Sequence, residues 1–224
     1  MKFFVIFSVL LLFLSACKKD DQELDMGYDY FPLTEGTYVT YRVQEIFHDK
    51  DLIPQHDTIT YILKRQIGEE YIDNIGRKAH KLYLTYTNVV TGDTLERRVW
   101  TTLIDQGKGE VIEENQRKIR MVFAVRTGKK WDLNAYNTDP TLEISYADKD
   151  KARIINNFSF DATSKVFYKD YFTLVDYQKS SEVYAKEVGL VKRSFKDLAI
   201  NNFDTLNIRK GTELHYLLID YGKE

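Results

Sequence analysis

The chain alternates. From Thr37 onward, Val39, Tyr41 and Val43 fall on one side of a two-residue period and Thr40, Arg42 and Gln44 on the other. That is the pattern of a strand with one face buried. The same period returns at Ile59, Tyr61 and Leu63, running to Ile67, and at Leu82, Leu84 and Tyr86. It returns again at Leu95, Arg97, Val99 and Thr101, at Ile119, Met121, Phe123 and Val125, and at Leu214, Tyr216 and Leu218. Shorter strands are predicted at 110–114, 142–146, 157–160, 164–175 and from 188 to 198. Thr91-Gly92-Asp93 between two alternating runs predicts a hairpin. Gly68-Glu69-Glu70 and Asp73–Gly76 read as loops around a short apolar piece. Three further segments read as irregular: a polar connection at 48–57 containing Pro54, an Asn- and Asp-rich loop at 134–140, and a polar loop at 201–211. Ser180–Ala185 reads as one helical turn capped by serine. No stretch carries three turns of apolar helical periodicity. The prediction is a mainly β fold: an antiparallel sheet, a sandwich or a half-open barrel.

One segment breaks the alternation. Residues 3–14 are an apolar run behind Lys2, closed by Leu14-Ser15-Ala16-Cys17. A spanning helix needs roughly 20 residues, so the run has the length of a signal core instead. The small residues and the cysteine resemble the lipobox of bacterial lipoproteins. That resemblance implies acylation of the Cys17 thiol and cleavage before it. Cys17 is the only cysteine, so no internal disulfide is available to it. Each buried methylene of an acyl chain contributes about 0.8 kcal/mol; one chain holds marginally, and two or three hold firmly. The expected organisation is a signal peptide at 1–16, a flexible lipidated tether at 17–29 and a β-rich domain at 30–224. Lys18-Lys19-Asp20-Asp21-Gln22-Glu23 is too charged to pack. This start resembles that of lipoproteins from the Bacteroidota, in which an acidic run behind the acylated cysteine directs export to the cell surface. Here lysines precede the aspartates, and surface and periplasmic orientations both stay open.

Composition sharpens the class. There are 16 Tyr and 13 Phe but only 3 Pro, an enrichment that suits strands. The net charge is -2, with basic and acidic residues interleaved and no basic stripe. Nucleic acid is therefore not an expected partner. The expected contacts are the membrane, through lipid on Cys17, and either another envelope protein or a small ligand.

Candidate chemistry is sparse. His48, Asp49, Asp51, His56 and Asp57 crowd one segment, but their spacing matches neither a helical His pair nor a calcium-binding loop, and a solvated loop is expected. His80 and His215 fall in separate strands. There is no Gly-x-Ser-x-Gly elbow, and Gly107-Lys108-Gly109-Glu110 lacks the spacing of a phosphate-binding loop. Glu113 and Glu114 are adjacent, so on a strand they point to opposite faces and cannot act as an acid–base pair. No metal or cofactor is expected. Trp100, Trp131 and Tyr136 are candidates to line a ligand groove, against the alternative that they pack the core.

Four spaced motifs, taken together, resemble a family of uncharacterised Bacteroidota cell-envelope lipoproteins. They are Phe31-Pro32-Leu33 with Gly36, Tyr38, Tyr41 and Val43; Gly128 with Trp131-Asp132 and Asn134–Asn137; Tyr184-Ala185 with Val188–Val191; and Tyr216, Leu218 and Tyr221. The resemblance implies an outer-membrane lipoprotein and carries no activity or site residues. A non-enzymatic binding or interaction protein is the expected role. The alternatives are a hydrolase with an unrecognised site and a module that pairs through an exposed sheet edge.

Overall fold

The computed structural model describes residues 24–224, so the signal segment, Cys17 and the charged run behind it lie outside the described residues. Thirteen strands follow: β1 Thr37–Asp49, β2 His56–Ile72, β3 Lys78–Asn88, β4 Thr94–Asp105, β5 Lys108–Glu113, β6 Gln116–Val122, β7 Lys130–Asp132, β8 Glu143–Tyr146, β9 Lys151–Ile155, β10 Phe158–Phe172, β11 Asp176–Ala185, β12 Gly189–Asn201 and β13 Asp204–Lys223. They form one antiparallel sheet in the order β6-β5-β4-β3-β2-β1-β13-β12-β11-β10-β8-β7, with β9 beside β10. The sheet is a meander whose first and last strands pair, from Thr37 opposite Lys223 to Asp49 opposite Lys210. The mainly β, barrel-like reading of the sequence is correct.

The sheet nearly closes on itself, and the break falls between β6 and β7. Side chains and isolated backbone bonds cross it. Ile119 N–H donates to Leu133 O at 2.9 Å, and Trp131 Nε1–H donates to Ile119 O at 2.8 Å. The Tyr146 hydroxyl accepts from Val122 N–H and donates to Val122 O, both at 3.0 Å. Asn137 Nδ2–H donates to Arg117 O at 2.9 Å. Groups that would otherwise be a bare sheet edge are thus occupied.

Inside lies one continuous core, including Tyr41, Val43, Leu63, Leu84, Val111, Met121, Tyr146, Val166, Val191 and Leu218. These are the apolar members of the alternating runs; the pleat sends them to one side and their polar neighbours to the other. The chain before β1 closes one end. Tyr28–Tyr30 make a single 3-10 turn, the Tyr28 ring stacks 4.4 Å from Phe123, and Tyr30 is fully buried with its hydroxyl donating to Asp150 at 2.8 Å. Asp25 pairs with Lys149 at 2.9 Å and Lys186 at 3.3 Å. Residues 25–29, placed in the tether by the sequence, therefore pack against the barrel.

Several local expectations give way to the ladder. The loop read at Gly68–Glu70 is a bulge within β2, where the register shifts between Ile67 and Glu70. Glycine is required there because a Cβ would lie 2.4 Å from the Tyr83 ring. The helical turn read at Ser180–Ala185 is part of β11, paired with β10 on one side and β12 on the other. Two flanking strands offer this segment ladder partners on both sides, which a lone serine cap cannot match. The polar segment 201–211 is mostly strand; Asn202 and Phe203, with φ of 52° and 59°, make the tight turn, the conformation that two-residue hairpins favour. Likewise His48 and His56 sit opposite each other on β1 and β2, not in a loop.

Candidate functional site

The strongest candidate lies inside the barrel, beneath the residues that precede β1. A cavity of about 70 Å³ opens there, with room for a few atoms larger than water. Phe31 and Pro32 roof it, supported by Gly109, whose missing Cβ leaves the Phe31 ring its place: a Cβ would meet that ring at 3.1 Å. Val39, Ile67, Leu82, Val111, Val188 and Leu190 supply apolar wall. Arg65 of β2, Arg120 of β6 and Arg193 of β12 supply charge.

Below the cavity the arginines meet two buried carboxylates. Glu182, with no exposed surface, accepts from Arg193 Nε at 2.7 Å and Nη2 at 2.6 Å, and lies 3.4 Å from Arg120 Nη1. The Tyr168 and Tyr184 hydroxyls also donate to it, at 2.7 and 2.6 Å. Glu113 takes a short bond from Arg120 Nη2 and lies 3.4 Å from Lys118. Burial alone would raise the pKa of Glu182, but Arg193 and Arg120 outweigh it and hold the carboxyl at about 2. Burial likewise opposes ionisation of Glu113, and Arg120, Arg193 and Lys118 hold it at about 2. Both carboxylates are therefore ionised at neutral pH. A buried ion pair of this kind holds its partners in one geometry, and losing one partner leaves an uncompensated charge costing about 3–5 kcal/mol. The Tyr41 hydroxyl donates to Leu190 O at 2.5 Å, and burial pushes its pKa up to about 12.

The residues proposed from the sequence for a groove go to different places. Trp131 belongs to the seam, its ring 4.6 Å from Tyr146. Tyr136 is exposed, with Arg117 over its ring at 4.1 Å and Lys108 Nζ 2.8 Å from its hydroxyl. Trp100 donates to Glu114 at 3.1 Å, in a surface depression with Glu96 and Arg98. The cavity bounded by Phe31 and Pro32 was not named from the sequence. Its signal was present in the motifs Phe31-Pro32-Leu33 and Val188-Gly189-Leu190, which come together at its roof and wall. Arg65, Arg120 and Arg193 carried no signal, because on alternating strands an inward arginine looks like any polar residue.

A second cluster lies on β1, β2, β12 and β13. His48 Nδ1 is 2.8 Å from His56 Nδ1, and His48 Nε2 is 3.3 Å from Glu213. Glu213 also contacts Lys196 at 2.6 Å and His215 at 2.8 Å. Asp49, Asp51 and Asp57 take no part in it. Among the described residues, no three His, Cys, Asp or Glu side chains are grouped so as to hold a metal ion. Glu113 and Glu114 separate as their adjacency predicts: one is buried, the other exposed at the turn.

No family model matches the sequence, and no curated protein matches it. Among solved structures, the chain is similar to a Bacteroides fragilis protein of YmcC-like fold that is thought to be exported, at 14% identity and a TM-score of 0.46, over 86% of this chain and 98% of that one.

Proposed function

We propose that this protein is a lipid-anchored envelope protein that works by binding a small ligand inside the barrel. The observation that supports this most is the cavity bounded by Phe31 and Pro32, mostly apolar in its lining and carrying Arg65, Arg120 and Arg193. Such a mixture orients a ligand while burying most of its surface. Arginine stays protonated and Glu113 and Glu182 are neutralised by it, so the groups at this cavity are suited to holding a ligand and poorly suited to accepting a proton. The lipobox-like Leu14-Ser15-Ala16-Cys17 supports the anchor. The ligand site proposed here replaces the groove of Trp100, Trp131 and Tyr136.

The test is a thermal-shift screen of the full-length chain, in detergent, against small anionic, neutral and cationic compounds. Ester, phosphate, peptide and glycoside turnover is assayed on the same preparation. Binding without turnover is expected. Turnover that disappears in the double variant His48→Ala, His56→Ala would instead make the histidine cluster an active site.

A further inference from the structure

Donors and acceptors around the cavity do not balance. The hydroxyls of Tyr168, Tyr184 and Tyr41 are already spent, the first two on Glu182 and the third on Leu190 O. The carboxylates Glu113 and Glu182 are saturated by Arg120, Arg193, Lys118 and the tyrosines. What is left over is all donor. Arg120 is 5% exposed, yet its Nε–H is buried with no acceptor. Arg65 Nε–H is likewise buried without one, and Arg65 has no carboxylate partner among the described residues. Three guanidinium groups thus stand over two carboxylates, and among the described residues Arg65 has only the Tyr41 hydroxyl beside it. A cation without a counter-charge is costly to bury, and Arg65, which lines the cavity, is the one left to be completed. The completing group must be an acceptor and must carry negative charge. The walls are aliphatic and the volume is small, so the rest of the ligand must be short and apolar.

We infer that the cavity takes a small aliphatic monocarboxylate, its carboxylate on Arg65 and its hydrocarbon end against Val39, Ile67, Leu82 and Val111. This rests on the binding reading above and gives the class of the ligand. A guanidinium accepts a carboxylate in two parallel hydrogen bonds, which supplies orientation as well as attraction. Arg65, the cation without a carboxylate among the described residues, is the residue on which recognition turns. Its loss leaves no buried carboxylate uncompensated, unlike loss of Arg120 or Arg193.

The experiment is calorimetric titration of the full-length chain with butyrate, butyramide, butylammonium and inorganic phosphate, with the wild type and with Arg65→Met. Butyrate is expected to bind wild type, with butyramide and butylammonium at least about tenfold weaker and phosphate excluded by the apolar wall. Arg65→Met, with an unchanged far-ultraviolet spectrum, is expected to lose about tenfold or more in butyrate affinity. The wild-type series stands without the variant. If butyramide binds as well as butyrate, or Arg65→Met binds butyrate unchanged, the anionic class is wrong and the binding reading survives. If phosphate binds and butyrate does not, the class is again wrong, as the apolar end is irrelevant. If none of the four binds, the class is wrong, and the binding reading falls only if the thermal-shift screen is empty as well.

Discussion

His48 is held between groups that pull its proton in opposite directions. Burial disfavours the imidazolium most, Glu213 of β13 favours it, and His56 of β2 and Lys196 of β12 oppose it, with the net result a pKa below the usual histidine value. His215 shares Glu213 with it. In the folded chain the imidazole therefore takes its proton later, on acidification, than in the unfolded chain. Over the window from about pH 6.5 down to its folded value, the unfolded state binds more protons, and stability falls as pH falls. The unfolding temperature is expected to drop as pH falls below about 6.5, and His48→Gln is expected to flatten that part of the profile. An equal slope in the variant would assign the effect elsewhere. Glu113 and Glu182, held at about 2, give a separate loss that starts as pH falls into the ordinary carboxylate range and is complete only below about pH 2. At this scale the sequence showed which residues could titrate. It could not show that His48 and His56 face each other, because that pairing depends on where the β1–β2 hairpin turns.

At the scale of elements, the seam between β6 and β7 is the part of the barrel held with least backbone pairing. Trp131 does two things there: it covers Tyr146 and it donates to Ile119 O. Trp131→Ala is expected to cost about 3 kcal/mol in chemical denaturation. Trp131→Phe keeps most of the ring, loses the N–H and is expected to cost about 1 kcal/mol. A loss near zero in the alanine variant would show that the seam is held by the backbone and by Tyr146 alone. Hairpin β3–β4 was legible, since Thr91-Gly92-Asp93 lies between two clean alternations. Strand β11 was not, since Ser180-Ser181-Glu182 carries a local helix-start signal that only its two neighbouring strands override.

At the scale of the whole molecule, the first described residues meet the cavity. Asp25 pairs with Lys149, Tyr28–Tyr30 make the 3-10 turn, and Phe31 lines the cavity. Lipidation at Cys17 is expected to place the protein in the detergent phase after temperature-induced phase separation of cell extracts, and Cys17→Ser is expected to move it to the aqueous phase or leave it uncleaved. Unchanged partitioning of that variant would remove the lipid anchor from the proposal.

The sequence by itself determined the strand content, most of the strand faces and the barrel-like class. Those depend on a two-residue period and on turn residues, both local properties. It also carried the lipobox pattern. Only the tertiary structure decided that β1 pairs with β13, that the break falls at Ile119 and Trp131, and that Arg65, Arg120 and Arg193 converge on one cavity. Each of these joins residues far apart in the chain. A strand's alternation fixes which side its residues face, but which distant strand supplies the facing charge is set by closure of the sheet.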